Sequence, residues 1–203
     1  MSAEAGSGKE SGKVNTPYTL ERLLDVAVAV FTERGYDGTS FQHLSQASGL
    51  SKSSLYHHIE SKEQLLRLSL ERALEPLMAT LGDERAISGR AIDRLRYLIE
   101  SNLEIMAERM PYVTLLLSVR GNTETERWAL DERRSYDRAV AAVVREAIAD
   151  GDLRSDIEPG IVARLIFGST NSIREWYRPG QGLSPAELGE QLISLLMNGV
   201  RAR

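Results

Sequence analysis

Ten side chains between residues 39 and 62 carry the chemistry this sequence offers: Thr39, Gln42, Ser51, Lys52, Ser53, Ser54, Tyr56, His57, His58 and Lys62. They do not read as a catalytic set. His57 and His58 are adjacent, so on a helix they diverge by about 100°, and no third metal ligand is near in sequence. What they share is hydrogen-bond donors on short or rigid side chains, set among apolar residues at helical spacing. Leu44, Ala47, Leu50 and Leu55 fall where two short helices joined by a turn must touch, and Gly49 stands where the chain reverses. The polar residues are then left on the outside of the second helix, as suits a helix that enters a major groove. On that reading Lys52, Ser53, Ser54 and His57 face base edges, with the lysine donating to guanine and the serines specifying weakly. Tyr56 suits a phosphate as a rigid hydroxyl donor, and Lys62 suits one from a first turn whose free amides also face the backbone. Gln42 either reaches a base or caps its own helix with Thr39, while His58 reads as a packed histidine that supports the turn.

The run Thr39, Ala47, Gly49, Leu50, Ser51, Leu55, Tyr56, His58, Ile59, Lys62, in that order and spacing, resembles the DNA-binding domain of the TetR family of transcriptional regulators. Ser53 stands where glycine is common and Ile59 where phenylalanine is common. Upstream, Phe31, Gly35-Tyr36 and Gly38-Thr39 extend the likeness over residues 18–66. The resemblance implies an all-α fold, with an N-terminal three-helix helix-turn-helix domain and a C-terminal helical bundle for effector binding and dimerisation. It implies a homodimeric cytoplasmic repressor, without cofactor, on a palindromic double-stranded DNA operator that a small apolar molecule releases. A shorter likeness covers Ile173-Arg-Glu-Trp176-Tyr-Arg-Pro179-Gly-Gln-Gly-Leu-Ser184, which is similar to a segment in TetR-family repressors of fatty-acid and steroid catabolism. Those proteins respond to acyl-coenzyme A thioesters, and Arg120, Arg127, Arg133 and Arg134 are the cations such a ligand's phosphates would seek.

The elements that position these residues are helical throughout. Leu20, Leu23, Leu24, Ala27, Val30 and Phe31 share one face of a helix stopped by Gly35. Thr39 with Gln42, and Ser61 with Gln64, have capping-box spacing. The helix from Lys62 runs past Leu77, bent or ended by Pro76. A helix follows from Ser88 to Arg109, then a short one opened by Pro111. A long one is capped by Thr123 and Glu126, and another runs from near Pro159 to before Pro179. The last opens with Ser184, Pro185 and Glu187. Residues 1–15 carry almost nothing to bury and read as a disordered tail, in which Gly6 to Lys13 lacks the spacing and hydroxyl of a phosphate loop. Residues 16–65 are then the DNA-binding domain and 66–203 the effector-binding and dimerisation domain, with the boundary inside one helix.

In the C-terminal half, Phe167, Asn171 and Arg174 share a helical face that mixes an apolar wall with polar anchors. Together with Asn102, Met106, Leu116, Arg120 and Trp128 they are the candidate effector residues, against an ordinary-core reading. Gly168, Ser172 and Trp176, with the stripe Leu188, Leu192, Leu195 and Gly199, are the candidate dimer surface.

Composition narrows the alternatives. The chain has no cysteine, which excludes disulfides and thiolate chemistry, and no stretch reads as a membrane span or an apolar signal segment. Its net charge is −4, and residues 1–65 hold six Lys or Arg against eight Asp or Glu, so positive potential there must come from helix N-termini and backbone amides. No nucleophile elbow, dinucleotide fingerprint or apolar carboxylate pair speaks for an enzyme. A constitutive DNA-binding protein without effector is the remaining alternative.

Overall fold

Thr19, Ser51, Ser61 and Thr123 each sit in extended conformation and accept a hydrogen bond from the backbone N–H three residues on, so four helices start at hydroxyl caps, two of them, at Ser61 and Thr123, where the spacing predicts. The computed structural model describes residues 18–178 and 180–200; the tail expected over 1–15 and Pro179 lie outside them. Within the described residues the chain forms α1 (Leu20–Arg34), α2 (Phe41–Ser48), α3 (Lys52–His58) and α4 (Lys62–Ala79). A turn of 3-10 helix at 80–82 leads to α5 (Glu84–Ile87), α6 (Ala91–Glu108) and α7 (Met110–Ser118). Then come α8 (Glu124–Ala149), α9 (Pro159–Trp176) and α10 (Pro185–Val200), with no strand among them.

Several starts differ from the expectation. The cap of α2 is Ser40, not Thr39: Ser40 Oγ accepts from His43 N and His43 Nδ1 accepts from Ser40 N, each at 3.3 Å. Thr39 is buried, its hydroxyl donating to Gly35 O at 2.8 Å, and Gln42 is exposed and takes no part in the cap. Pro76 does not end α4, which continues to Ala79. The segment before α6 contains α5, a single capped turn too short to show a period, and α6 starts at Ala91 instead of Ser88. At α10 the expected box is made: Glu187 Oε2 accepts from Ser184 N and Oγ, both at 2.8 Å.

The core is continuous from end to end. Leu23, Leu24 and Phe31 of α1 meet Leu65, Leu66 and Leu70 of α4, and the same cluster runs on through Leu95, Leu98 and Ile99 of α6 to Ile166 of α9. α4 packs on α1 and also on α7, α8 and α6, so it is a wall of both halves.

Polar clamps reinforce that junction. Tyr112 Oη donates to Asp25 Oδ1 at 2.5 Å, Asn122 Nδ2 donates to Asp37 Oδ2 at 3.3 Å, and Thr125 Oγ1 donates to Glu63 Oε1 at 3.0 Å. Burial and the bond to Asp25 raise the Tyr112 phenol above its ordinary pKa, which keeps it a donor. The α7–α8 loop that carries Asn122 is itself held by Glu126, which is 5% exposed. One oxygen of that carboxylate accepts from Arg120 N, Gly121 N and Asn122 N at 3.2, 2.8 and 2.7 Å. Removing it strands three amides in a part-buried loop. We therefore expect Glu126→Ala to lower unfolding free energy by about 2–3 kcal/mol, and Glu126→Gln by less, in urea titrations. Wild-type stability in the alanine variant would mean that water replaces the carboxylate at no cost.

Candidate nucleic-acid interface and effector cavity

The α2–turn–α3 unit is built from short-range bonds. Gly49 takes φ 73°, a left-handed position that ends α2, and donates to Ser45 O at 3.0 Å. Ser45 Oγ donates to Leu50 O at 2.5 Å, and Ser48 Oγ accepts from Leu50 N at 3.2 Å. With the turn fixed, Leu55 and Ile59 seat α3 on the core. Lys52, Ser53, Tyr56 and His57 are then exposed on α3, with Gln42 exposed on α2. The Tyr56 ring stacks on Phe41 at 4.8 Å between centroids, so the residue stands 56% exposed yet held in place. Ser51 Oγ accepts from Ser54 N at 3.1 Å and lies 2.9 Å from Ser54 Oγ, so both hydroxyls are engaged in starting α3.

Two expected contacts belong to the interior instead. Lys62 Nζ donates to Tyr36 O and Thr39 O, each at 2.8 Å, and lies 4.1 Å from the Tyr36 ring centroid. It ties the start of α4 to the α1–α2 loop and leaves the phosphate role unfilled. Thr39, buried beneath it, has no surface for DNA. His58 is half-buried, its ring 6.2 Å from that of Tyr18, as a packed histidine would be.

A cavity of about 50 Å³ lies between α4, α6, α7, α8 and α9. Leu77, Met106, Leu116 and Phe167 give it apolar walls; Asn102, Arg133, Tyr136, Asp137 and Asn171 give it polar atoms. Asn102 Oδ1 is buried without a partner. Burial pulls the Arg133 guanidinium below its ordinary pKa, opposed by Asp137 and assisted by Arg174. Burial likewise raises Asp137, against the pull of Arg133 and Arg164. Tyr136, packed edge-on to Phe167 at 5.4 Å, is pushed up to about 12 by burial and stays a neutral phenol. The site is thus an apolar slot with a small polar group of both donors and acceptors. Among the described residues no three His, Asp or Glu side chains converge as metal ligands.

Residues 23–68 match the family of bacterial regulatory proteins named for TetR, and residues 88–200 match the tetracyclin repressor-like C-terminal domain. The chain belongs to the TetR family. Among solved structures it is similar to SCO3833, a TetR-family member from Streptomyces coelicolor A3, at 51% identity over 92% of each chain with a TM-score of 0.84. The transcriptional repressor KstR2 of Mycobacterium tuberculosis is 29% identical over 94% of this chain and 96% of its own. The KstR2 structure, described as a ketosteroid transcriptional regulator, superposes with a TM-score of 0.81 over 95% of this chain and 98% of its own. AibR, solved with isovaleryl coenzyme A and operator DNA, shares the TetR fold at a TM-score of 0.73 and 23% identity, covering 88% of this chain and 97% of its own.

Within the TetR fold, the expected effector residues divide. Asn102, Met106, Leu116, Phe167 and Asn171 come together around the cavity. Arg120, Trp128 and Arg174 do not: Arg120 is exposed, Trp128 lies under the Arg67 guanidinium at 3.2 Å, and Arg174 pairs with Glu175 at 2.8 Å. Tyr136 and Asp137 were missed, and Arg133, read as a cation for a ligand's phosphates, lines the cavity itself. Their signal was available, because Arg133, Tyr136 and Asp137 continue the stripe of α8 on which Val140, Val144 and Ala147 are buried.

On the opposite side of α9, Gly168, Ser172 and Trp176 are exposed and extend a row begun by Ile161 and Leu165, 49% and 64% exposed. On α10, Leu195 and Gly199 are exposed, while Leu188 and Leu192 lie half-buried against the core. The two leucines therefore serve the protomer as well as any partner.

The Lys62 latch generates a prediction. Lys62→Met keeps most of the stem but leaves two carbonyls without their charged donor, so stability in a denaturant titration should fall by about 1–3 kcal/mol. An unchanged midpoint and slope would place the ammonium in solvent.

Proposed function

We propose that the protein is a homodimeric repressor that holds a palindromic operator and releases it when a small molecule, an acyl-CoA or another largely apolar ligand, occupies the cavity beside α4. It acts in the cytoplasm, as a regulator and not an enzyme. Residues 16–65 are its DNA-binding domain and 66–203 its effector and dimer domain. The observation that carries this reading is α3, a seven-residue helix locked from beneath by Leu55 and Ile59, with Lys52, Ser53, Tyr56 and His57 outward. Direct readout falls to Lys52, Ser53, His57 and Gln42, and phosphate contact to Tyr56 and the helix amides. The exposed row on α9, together with Leu195 and Gly199, offers the self-complementary apolar strip that a twofold pairing requires. The similarity to the repressor KstR2 supports repression, and that to AibR, solved with isovaleryl coenzyme A, supports the choice of effector.

The coupling follows from where the cavity lies. Ala73 and Leu77 of α4 line it, and the same helix carries Lys62 at its other end. At about 50 Å³ the cavity holds one or two waters, far below the several hundred Å³ of a ligand site, so an acyl chain enters only by moving walls. Those walls include α4 and α7, both tied to the DNA-binding half. Displacing them in each protomer alters the separation of the two α3 helices, which DNA fixes at about 34–36 Å. The closed cavity also favours a second reading, a constitutive DNA binder without effector. A thermal-shift series with acyl-CoAs separates the two, since only a bound ligand raises apparent stability.

Binding to mutated operators tests the surface. Lys52→Ala should change base preference by about 1–3 kcal/mol at one position of each half-site, while Tyr56→Phe weakens all sequences alike. A footprint without twofold symmetry would overturn the dimeric reading. For the effector, operator affinity should fall about 5–150-fold on ligand saturation, with ligand affinity reduced by the same factor on DNA. Asn171→Trp fills the cavity and should abolish this release while operator binding stays intact. Normal release from that variant would move the effector elsewhere.

A further inference from the structure

Two cavities in the C-terminal half meet at one side chain. Met106, 2% exposed, lines both the 50 Å³ cavity beside α4 and a second one of about 10 Å³. The second is bounded by Leu103 of α6, Ile173 and Tyr177 at the end of α9, and Leu188 of α10. Neither chamber admits more than a few atoms, and only the thioether arm of Met106 is common to them. Methionine is the side chain for such a place, because it is unbranched, turns about three bonds and fills irregular gaps at little rotamer cost. Met110 is a second flexible side chain on the second chamber but does not reach the first, and the remaining walls are stiffer. Leu103 and Ile173 are branched, and α10 sits so close that a Cβ at Gly189 would come within 3.3 Å of Leu103 Cδ1. A passage between the two chambers therefore comes from moving Met106 and not from sliding α10.

We propose that Met106 is a movable partition that sets how long an apolar tail the effector inserts, and that the second chamber receives tails which displace it. This rests on the acyl-CoA reading above. A short tail stays in the first chamber against Leu77, Leu116 and Phe167. A longer one turns the thioether aside and reaches Leu188 of α10, two turns before the exposed Leu195 on the same face of that helix. Tail length then decides whether the ligand presses only on α4 or on α10 as well.

The test uses the full-length protein on a fluorescent operator duplex, with saturated acyl-CoAs from butanoyl to hexadecanoyl. Operator release and thermal shift are both read for wild type, Met106→Ala, Met106→Leu and Met106→Phe. Operator affinity in the absence of ligand identifies the variants that fold. Removing the three heavy atoms beyond Cβ in Met106→Ala should move the optimal tail about two to four carbons longer, each newly buried methylene tightening binding about fourfold. Met106→Phe should move the optimum shorter, and the near-isosteric Met106→Leu should leave it close to wild type. The same optimum in all folded forms overturns the partition while leaving the effector reading standing. Indifference of wild type and every variant to all tail lengths overturns the effector reading, and the partition with it.

Discussion

One uninterrupted helix, α4, belongs to two packing problems at once, and every other arrangement in the molecule is conditioned by that. Its N-terminal half buries Leu65, Leu66 and Leu70 against the α1 side, and its C-terminal half gives Ala73 and Leu77 to the cavity. A helix holds its length because each backbone bond depends on the next, so a displacement at Ala73 is passed along the axis rather than absorbed. The ends are fastened differently. Lys62 fixes the start through two carbonyls and an aromatic face, whereas the far end passes through Pro76, which lacks the N–H to bond the carbonyl of Arg72, into a 3-10 turn. The rigid end faces the DNA-binding half and the yielding end faces the cavity. That is the polarity a transmission element needs.

Electrostatics explains why the reading head must be placed so firmly. An N-terminal half with more acids than bases gains little from counterion release, so its grip on arbitrary DNA is weak. Affinity then depends on aligned amides and a few donors, each directional and steep with distance. A small rotation of α3 removes several contacts together, so modest forces from the C-terminal half suffice for release. The same acid-rich surface supplies the clamps: Asp25, Asp37 and Glu63 each receive a donor from the α7–α8 region. Their charge is used to fasten the two halves together.

How far the sequence could be read depended on the range of the physics involved. Helix starts such as Ser61, Thr123 and Ser184 are local events, and local residue types predicted them. The cap of α2 went to Ser40 because Thr39 was drawn inward by Gly35 O, a choice of one residue that spacing does not resolve. Lys62 was assigned to phosphate because it stands in the first turn of a helix whose free amides face the backbone, yet its partners lie 26 and 23 residues away in a loop that only the fold brings close. In the cavity, Asn102, Met106, Leu116, Phe167 and Asn171 were found by type and helical face. Trp128 was not separable from them, since a large aromatic on an amphipathic helix has the same signature whether it meets a ligand or an arginine. Asp137 shows the reverse error. Charged residues default to the surface in sequence reasoning, and only the tertiary position of the α8 stripe turns that default over.

The closed cavity has a thermodynamic consequence for any regulation it carries. If the form in hand has room for one or two waters, a ligand binds only the fraction of molecules whose walls have moved, and its apparent affinity is reduced by that fraction. The same opening that costs affinity is the source of coupling, because a ligand indifferent to wall position could shift no equilibrium however tightly it bound. A pre-formed large cavity would bind more tightly and signal less. Arg133, Asp137 and the unpartnered Asn102 Oδ1 favour opening from the polar side, since a polar group or water brought there relieves burial that the closed form imposes. The apolar side, sealed by Leu77, Leu116 and Phe167, favours closure. The balance between the two sides sets the fraction open, and under the proposed function α4, which forms part of the apolar side, is the element that would report it to the DNA-binding half.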